Sequence, residues 1–433
     1  MQTQALPGFR DFYPDDLALR DHIFQTWRTV ATRYGFEEYD GPPLEPLELY
    51  TKKSGDEIVG QLYNFVDKGD RNVALRPEMT PTLARMVAAR AKGLRKPIRW
   101  FSIPQLFRYE RQQRGRLREH FQLNCDLIGE PGPLADAEII ALAIDVMRAF
   151  GLGPNDVRVR LSDRRVLTAI LQQRGVPERA MGKAFDFIDK MERLRTEQIN
   201  EFSSRAEAFA PATVADLQEV AQIRGWDRLN AELARSRDAE KAGEPLRQTC
   251  AALDAMGLGS FVEVDLTIVR GLAYYTGIVF ELFDAGKTLR AICGGGRYDS
   301  LLQELGGVEL PALGFGMGDV VLSELLKEKA TLPALGMSVD VFLAFITQDD
   351  IPHLLALAHQ LRDAGLRVEY PLGPQSVGKQ MKLADARGAR LAVVLGPDER
   401  ARGELVLRDL RSGTQETTKE STVIDTIKSR IHG

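Results

Sequence analysis

Phe107-Arg108-Tyr109-Glu110-Arg111-Gln112-Gln113-Arg114-Gly115-Arg116-Leu117-Arg118-Glu119-His120-Phe121-Gln122 places five arginines in the eleven residues from Arg108 to Arg118. The stretches on either side read as strands: Arg99–Ser102 and Leu106–Glu110 before the loop, Phe121–Ile128 after it. An arginine-rich loop between strands suits phosphate recognition, because each guanidinium offers a planar fork of donors to an oxyanion. Arg108 and Glu110 stand apart from the rest. On a strand they share one face, so the guanidinium can meet a phosphate while the carboxylate meets an exocyclic amine. A solvated, salt-bridged hairpin is the alternative for such a run taken alone.

Outward from this stretch the pattern is mixed. Pro14-Asp15-Asp16 suits a helix N-terminus, Leu19, Ile23, Trp27, Val30 and Tyr34 recur at helical spacing, and Gly35 ends the run. A short strand at Phe36–Tyr39 stops at Gly41-Pro42-Pro43. Gln61–Phe65, the turn Asp67–Asn72 and Val73–Leu75 read as a hairpin, followed by a helix opening near Pro81. A helix over Leu134–Phe150 ends at Gly151. From about Ser162 to Gly257 the chain reads as a charged α-helical insertion broken by Pro177 and Pro211. Strands return at Phe261–Thr267, Gly277–Phe283 and Thr288–Cys293, then an apolar run covers Ala312–Leu326 and a linker follows at 327–337. Beyond it, Val339–Ile346, Ile351–Ala364, Leu366–Tyr370, Val377–Arg387 and Leu391–Leu395 alternate strand and helix, the order of a separate small α/β domain.

Length and composition set the outer bounds. The 433 residues, 44% hydrophobic and 27% charged, fit two to four soluble domains at roughly 100–200 residues each. Lys+Arg 57 against Asp+Glu 61 leaves 57 − 61 = −4, so no global attraction to a polyanion is implied. No window reaches ~18 uninterrupted apolar residues, and the first residues lack the apolar core of a signal peptide. Cys125, Cys250 and Cys293 form no CxxC, and the five histidines form no ligand cluster. A disulfide framework, zinc or any other metal held by protein clusters, an organic cofactor and a membrane partner are therefore not expected. A reducing cytoplasm is.

Three further segments could carry chemistry. In Ile268-Val269-Arg270-Gly271-Leu272-Ala273-Tyr274-Tyr275-Thr276-Gly277, one arginine in an apolar run is costly to bury unless it meets an anion. The paired tyrosines add hydroxyls beside stacking surfaces, although surface tyrosines at a strand entry would read the same. In Cys293-Gly294-Gly295-Gly296-Arg297-Tyr298-Asp299, the glycines allow close backbone approach or simply a turn after a strand, and taken alone the turn is the expectation. This is not GxGxxG and opens no βαβ unit, so a dinucleotide fold is excluded. Leu75-Arg76-Pro77-Glu78-Met79-Thr80 ends a strand with a carboxylate and a hydroxyl before a helix, where Thr80 reads as an N-cap.

Together these segments resemble the histidyl-tRNA synthetase family of class II aminoacyl-tRNA synthetases, over nearly the whole chain. Gly35-Phe36…Pro42-Pro43 is similar to the dimer-forming first class motif, and Phe107–Gln122 to the second. VRGLAYYTG and GGGRYD are more specific to the histidine family. The resemblance implies an α+β catalytic domain over 1–326, built on a mostly antiparallel sheet flanked by helices, with the helical insertion at about 162–257. It also implies an anticodon-binding α/β domain over 338–433. Implied activity is ATP-dependent formation of histidyl-adenylate and transfer to the tRNA 3′ end, in a cytoplasmic homodimer that takes histidine, Mg²⁺-ATP and the histidine tRNA.

Residue by residue, the resemblance assigns the α-amino group of histidine to Glu78, Thr80 and Gln122, and its imidazole to Asp126 and Tyr275, with Tyr274 and Tyr298 lining the pocket. Arg108 and Arg270 are assigned to opposite sides of the α-phosphate, Glu110 to adenine and Arg116 to the terminal phosphates. Arg111, Gln113, Arg114 and Arg118 are expected at the tRNA acceptor end. In the C-terminal domain, which has 13 basic and 13 acidic residues from 338 onward, Gln375, Lys379, Gln380 and Lys382 are expected to face the anticodon. One departure stands out: the third class motif normally ends in Gly-Leu-Glu-Arg, and here the run is Gly318-Asp319-Val320-Val321. Gln112 stands where proline is frequent. The lost arginine also fits a non-catalytic alternative, the synthetase-like regulatory subunit of ATP phosphoribosyltransferase. The complete C-terminal domain speaks against it.

Overall fold

The computed structural model describes residues 3–51, 59–111, 115–191, 211–269, 274–286, 288–333 and 339–432. Helix α1 (Pro14–Arg33) starts with proline at its head and two acids in its first turn, and Gly35 follows at φ 74°. That left-handed position is one a side chain adopts only with strain. Ile23, Trp27 and Val30 bury one stripe of α1 against the sheet.

The strands of the larger unit are β1 (Glu37–Glu38), β2 (Leu44–Pro46), β3 (Asn64–Val66), β4 (Asn72–Leu75), β5 (Ile98–Ser102), β6 (Gln105–Phe107), β7 (Glu119–Ile128), β8 (Val157–Asp163), β9 (Val262–Val264), β10 (Ile278–Asp284), β11 (Cys293–Arg297) and β12 (Ala312–Gly318). A nine-stranded sheet runs β1-β5-β7-β12-β11-β10-β8-β9 with β6 on β7, and β2-β4-β3 form a small second sheet. Only the β1–β5 and β8–β9 pairs are parallel. The helices between them are α2 (Glu48–Thr51), α3 (Thr80–Arg90), α4 (Pro133–Ala149), α5 (Arg164–Gln173), α6 (Met181–Met191), α7 (Pro211–Val220), α8 (Gly225–Leu233), α9 (Arg237–Ala255), α10 (Leu301–Gly306) and α11 (Asp319–Glu328).

Period-two alternation divides the sheet into two faces. Leu123, Cys125 and Leu127 of β7, Leu313, Phe315 and Met317 of β12, and Val159 and Leu161 of β8 enter one core with α1 and α4. The opposite positions, Gln122, Asn124 and Asp126 of β7, line up with Gly318, Gly316 and Gly314 of β12.

Several expectations need correction. The glycine cluster is not a turn: Cys293–Arg297 is a buried strand, and the strand expected at Thr288–Cys293 begins only at its last residue. The cause is crowding. A Cβ on Gly295 would lie 2.3 Å from the Gly314 carbonyl oxygen, and one on Gly296 would lie 2.6 Å from that of Ile278. Thr80 is the first residue of α3 rather than its cap, since Met79 occupies the N-cap with an αR backbone and no side-chain bond. Arg108 and Glu110 lie beyond β6, which ends at Phe107, and the Glu110 N–H donates to the Arg108 carbonyl at 2.7 Å across a tight turn. The helical insertion begins two residues later than expected: Ser162 and Asp163 finish β8, and Leu167 and Leu171 of α5 with Leu246 and Leu253 of α9 share the core of the sheet.

The chain divides into two compact units, Met1–Ala334 and Leu335–Gly433. The smaller one has five strands, β13 (Val341–Phe345), β14 (Val368–Glu369), β15 (Leu391–Leu395), β16 (Glu404–Asp409) and β17 (Gln415–Lys419), in the order β14-β13-β15-β16-β17. Its helices include α12 (Ile351–Asp363), α13 (Val377–Ala386), α14 (Pro397–Ala401) and α15 (Val423–His432). The β-α-β-α-β reading holds through β15. The antiparallel β16 and β17 extend it.

Candidate active site

The site face of the large sheet has a floor of glycine. Gly314 and Gly316 lie beneath side chains from the neighbouring strand: a Cβ on Gly314 would fall 2.3 Å from Asp126 Oδ1, and one on Gly316 2.6 Å from the Gln122 carboxamide carbon. The glycines thus let Asp126 and Gln122 lie flat across β12. Four residues apart on β7, they are separated by about 13 Å along the strand and mark two ends of one sheet face.

At the Asp126 end the walls are aromatic. The Tyr298 hydroxyl donates to Asp126, and both side chains are buried. Burial lifts the Asp126 carboxyl to about 7, the hydrogen bond from Tyr298 pulling the other way. Burial and the adjacent Asp126 together push the Tyr298 phenol well up. Tyr274, Tyr275 and Tyr298 pack as a triad with ring centroids 5.1, 5.8 and 6.5 Å apart. Tyr275 fits because Gly296 lacks a Cβ, which would sit 2.9 Å from its ring. The Tyr274 hydroxyl donates to buried Glu78 at 3.4 Å, and Thr80 follows at the head of α3. The hydroxyl that meets Asp126 is that of Tyr298, expected from the resemblance only to line the pocket.

At the Gln122 end a cavity of about 660 Å³ opens, lined by Arg108, Glu110, Arg116, His120 and Gln122 among others. Arg108 Nε donates to the Pro77 carbonyl at 2.9 Å, which fixes its stem. Glu110 stands between two cations, 4.0 Å from Arg108 Nη1 and 2.9 Å from Arg116 Nε. Burial, with Arg108 and Arg10 nearby, holds the His120 imidazole down at about 3, so it is neutral at physiological pH. Arg10 braces this end. It donates to Glu119 at 2.6 Å and to Asp319 at 2.8 Å, and Asp319 accepts the Phe121 N–H at 2.9 Å.

Sequence reasoning missed Arg160, Glu281, Asp189 and Arg290, which line the same cavity. A signal existed for the first two. Arg160 and Glu281 are charged residues set between apolar neighbours in their strands, opposite one another in the β8–β10 register. Arg160 donates through Nε to buried Asp265 at 2.8 Å and through Nη2 to Thr267 at 2.8 Å.

Of the loop residues, Arg111 is exposed, and the Arg118 guanidinium stacks 4.0 Å over the Tyr109 ring. Gln113, Arg114 and Arg270 lie outside the described residues. In the small unit Gln375, Lys379 and Lys382 are exposed at the start of α13. Gln380 does not belong with them. It is fully buried, accepting the Phe345 N–H at 3.0 Å and donating to the Phe345 and Gln375 carbonyls, each at 2.9 Å. It ties the helix to β13 and has no face to offer a base.

A mostly antiparallel sheet with an arginine loop at one end and a carboxylate-and-tyrosine pocket at the other defines a class II aminoacyl-tRNA synthetase. Residues 8–319 match the family model of histidyl-tRNA synthetase, and 340–430 match that of the anticodon binding domain. The chain is 48% identical over 418 residues to the histidine–tRNA ligase of Opitutus terrae, covering 95% of each. It is 40% identical to the chloroplastic/mitochondrial histidine–tRNA ligase of Arabidopsis thaliana, covering 96% of this chain and 84% of that one. Among solved structures, histidyl-tRNA synthetase from Nostoc sp. PCC 7120 superposes with a TM-score of 0.83 at 25% identity, covering 99% of this chain and all of that one. The chain belongs to the histidyl-tRNA synthetase family.

Proposed function

We propose that the protein joins L-histidine to its tRNA in two steps, histidyl-adenylate formation from ATP and then transfer to the tRNA 3′ end. The observation that carries this is the one sheet face with two chemically distinct ends, Asp126 at one and the arginine-lined cavity beside Gln122 at the other. A buried acid between tyrosines suits an imidazole, whose two nitrogens need separate partners. Glu78 offers an anion to the α-ammonium, with Thr80 and Gln122 as neutral acceptors. The arginine-lined cavity suits ATP, with Arg108 on the α-phosphate, Glu110 on the adenine amine and Arg116 on the terminal phosphates. In the ligand-free arrangement Arg116 rests on Glu110, so nucleotide binding would exchange that contact for phosphate.

A histidine carboxylate is already ionised at pH 7 and needs no general base. Catalysis then rests on positioning and charge stabilisation, with Arg270 as the second α-phosphate donor. Asp189 and Glu281 also line the cavity, and carboxylates suit Mg²⁺ that arrives on phosphate oxygens. That ion would offset charge on the departing pyrophosphate.

We assign 1–326 to catalysis, 327–337 to a linker and 338–433 to anticodon binding. Arg111, Gln113, Arg114 and Arg118 are assigned to the acceptor end, and Gln375, Lys379 and Lys382 to the anticodon. We also infer a homodimer, and a cytoplasmic setting in which cysteines stay reduced. All three cysteines are buried and none is in a disulfide. No helix among the described residues is long and apolar enough to cross a membrane. ATP–pyrophosphate exchange with each amino acid in turn tests the reading. Exchange with histidine alone is expected, and none with any amino acid would return the regulatory alternative.

A further inference from the structure

The head of α11 brings no cation to the nucleotide cavity. Val320 and Val321 line the cavity from its first turn, and Asp319 is already held by Arg10 and the Phe121 N–H. A Cβ on Gly115 would lie 3.2 Å from Val321 Cγ2, so the tip of the arginine loop closes directly onto this apolar spot. The same position lies 3.8 Å from Cδ of Arg290. Arg290 therefore comes within one residue's width of both Gly115 and Val321, and its neighbour in the loop, Arg116, lines the same cavity.

The turn that carries Arg290 is held on both sides. Asp284, at the end of β10, accepts the Thr288 and Leu289 N–H groups, each at 2.9 Å, and the Thr288 hydroxyl at 3.0 Å. Leu289 and Ile292 are buried in the main core. The Ile292 N–H donates to the Leu282 carbonyl at 2.8 Å, and its own carbonyl accepts the Gly318 N–H at 3.2 Å, just before α11. Between these anchors Arg290 is exposed and lines the cavity. A side chain carried on an anchored turn reaches a phosphate with little backbone reordering.

We propose that Arg290 grips the terminal phosphates of the nucleotide together with Arg116, supplying from the β10–β11 turn the cation that the apolar head of α11 lacks. The inference rests on the ATP reading of the cavity and adds a residue to it. Arg108 and Arg116 come from the loop, whereas Arg290 comes from the turn that packs against it at Gly115. The three would enclose a polyphosphate.

The test is Arg290→Met, which keeps an apolar stem, beside Arg290→Lys. Affinity for Mg²⁺-ATP and for AMP is read by calorimetry, and turnover by histidine-dependent pyrophosphate exchange. Arg290→Met is expected to weaken ATP about ten- to a hundred-fold, the usual cost of a charge-assisted contact. AMP and histidine affinities should be unchanged. Arg290→Lys should recover the charge but not the fork, leaving an intermediate affinity. Adding Val321→Arg to Arg290→Met should restore part of the loss from the facing helix. ATP affinity within about two-fold of the parent in Arg290→Met would overturn the proposal. If ATP binding depends on Arg290 while the parent shows no histidine-dependent exchange, Arg290 stands and the ligase reading falls.

Discussion

Tyr298 donates its hydroxyl to Asp126 in a fully enclosed site, and the carboxyl it meets is held near 7, mainly by burial. The folded-state value thus lies above the unfolded one of about 3.9. Stability from the retained proton is fully present below the unfolded value and is lost as pH rises through 7. Asp126→Asn removes the ionisation but keeps an acceptor for Tyr298. It should therefore stabilise the protein at pH 8, by of the order of 2–4 kcal/mol, with the gain shrinking toward pH 5. Urea unfolding at the two pH values checks this, and an equal shift at both would contradict it.

The same acid should make histidine binding depend on pH. A protonated Asp126 accepts a ring N–H only as a neutral group, a weaker partner than the carboxylate, so affinity should fall as pH drops below 7. Asp126→Asn should flatten that profile above the titration of free histidine and weaken binding by roughly 1.5–3 kcal/mol, the range for a hydrogen bond to a charged group. Calorimetry at pH 6, 7 and 8 reads both effects. Unchanged affinity in the variant would remove Asp126 from the pocket.

Two glycines in neighbouring strands should fail in different ways. A methyl on Gly316 meets the Gln122 carboxamide at 2.6 Å, whereas one on Gly295 meets the Gly314 carbonyl at 2.3 Å and Phe315 Cβ at 2.6 Å. A side chain can swing away, and a backbone carbonyl in a ladder cannot. Gly316→Ala should weaken histidine binding with modest loss of stability. Gly295→Ala should lower stability by at least about 1–3 kcal/mol, the cost of overpacking. Thermal melts paired with histidine titrations distinguish the two.

These glycines mark where sequence reading ran out. A run of three reads locally as a turn because the reason for it is not local: Gly295 is required by Gly314 and Phe315 on another strand. By contrast α1, α4 and the β3–β4 hairpin follow from apolar spacing and turn residues within each segment, and they were legible. Arg108, Glu110 and Arg116 stand out in one charge-dense loop, their separate nucleotide roles being implied by the family resemblance, and all three line one cavity. Arg290 had no such pattern. It is a single arginine whose neighbours, Gly115 and Val321, are far away in the chain. Gln380 shows the converse, a polar residue in a plausible surface motif that packs inward because β13 offers it an N–H and a carbonyl.

Arg10 should matter more for stability than its place near the start of the chain suggests. Its guanidinium holds Glu119 and Asp319 at 2.6 and 2.8 Å, and both acids are almost fully buried. Arg10→Ala leaves two enclosed carboxylates without their cation, a loss of about 3–5 kcal/mol when a buried pair is broken. Burial already pushes the Asp319 carboxyl upward against the pull of Arg10, so removing Arg10 should raise it further. The variant should consequently lose more stability at pH 8 than at pH 5. Guanidinium melts at both values would show it, and a loss below about 1 kcal/mol, the range of surface pairs, would mean that water reaches the pair.

The small unit supplies the clearest separation of the two chemical steps. Its hydrophobic clusters, around Val341, Leu357 and Leu407 and around Phe342 and Ala384, share no member with those of the large unit. Deleting 338–433 should therefore leave histidine-dependent pyrophosphate exchange measurable, because every described residue assigned to adenylate formation lies before 334. Charging of the histidine tRNA should fall steeply. The unit's 13 basic and 13 acidic residues cancel, so it is not expected to hold RNA by bulk charge. Lys379 and Lys382 with Gln375 present local cations and an amide at the head of α13, the means by which unstacked bases are read. Lys379→Ala with Lys382→Ala should raise the KM for tRNA and reduce the salt slope of binding by roughly 0.7 per lost phosphate contact, with exchange unaffected. Gln380→Ala should act otherwise, unfolding the small unit more readily through the lost β13 contacts. Its charging defect should track thermal stability and be absent well below the melting temperature. If the truncated protein charged tRNA as well as the intact chain, the anticodon assignment of this unit would be wrong.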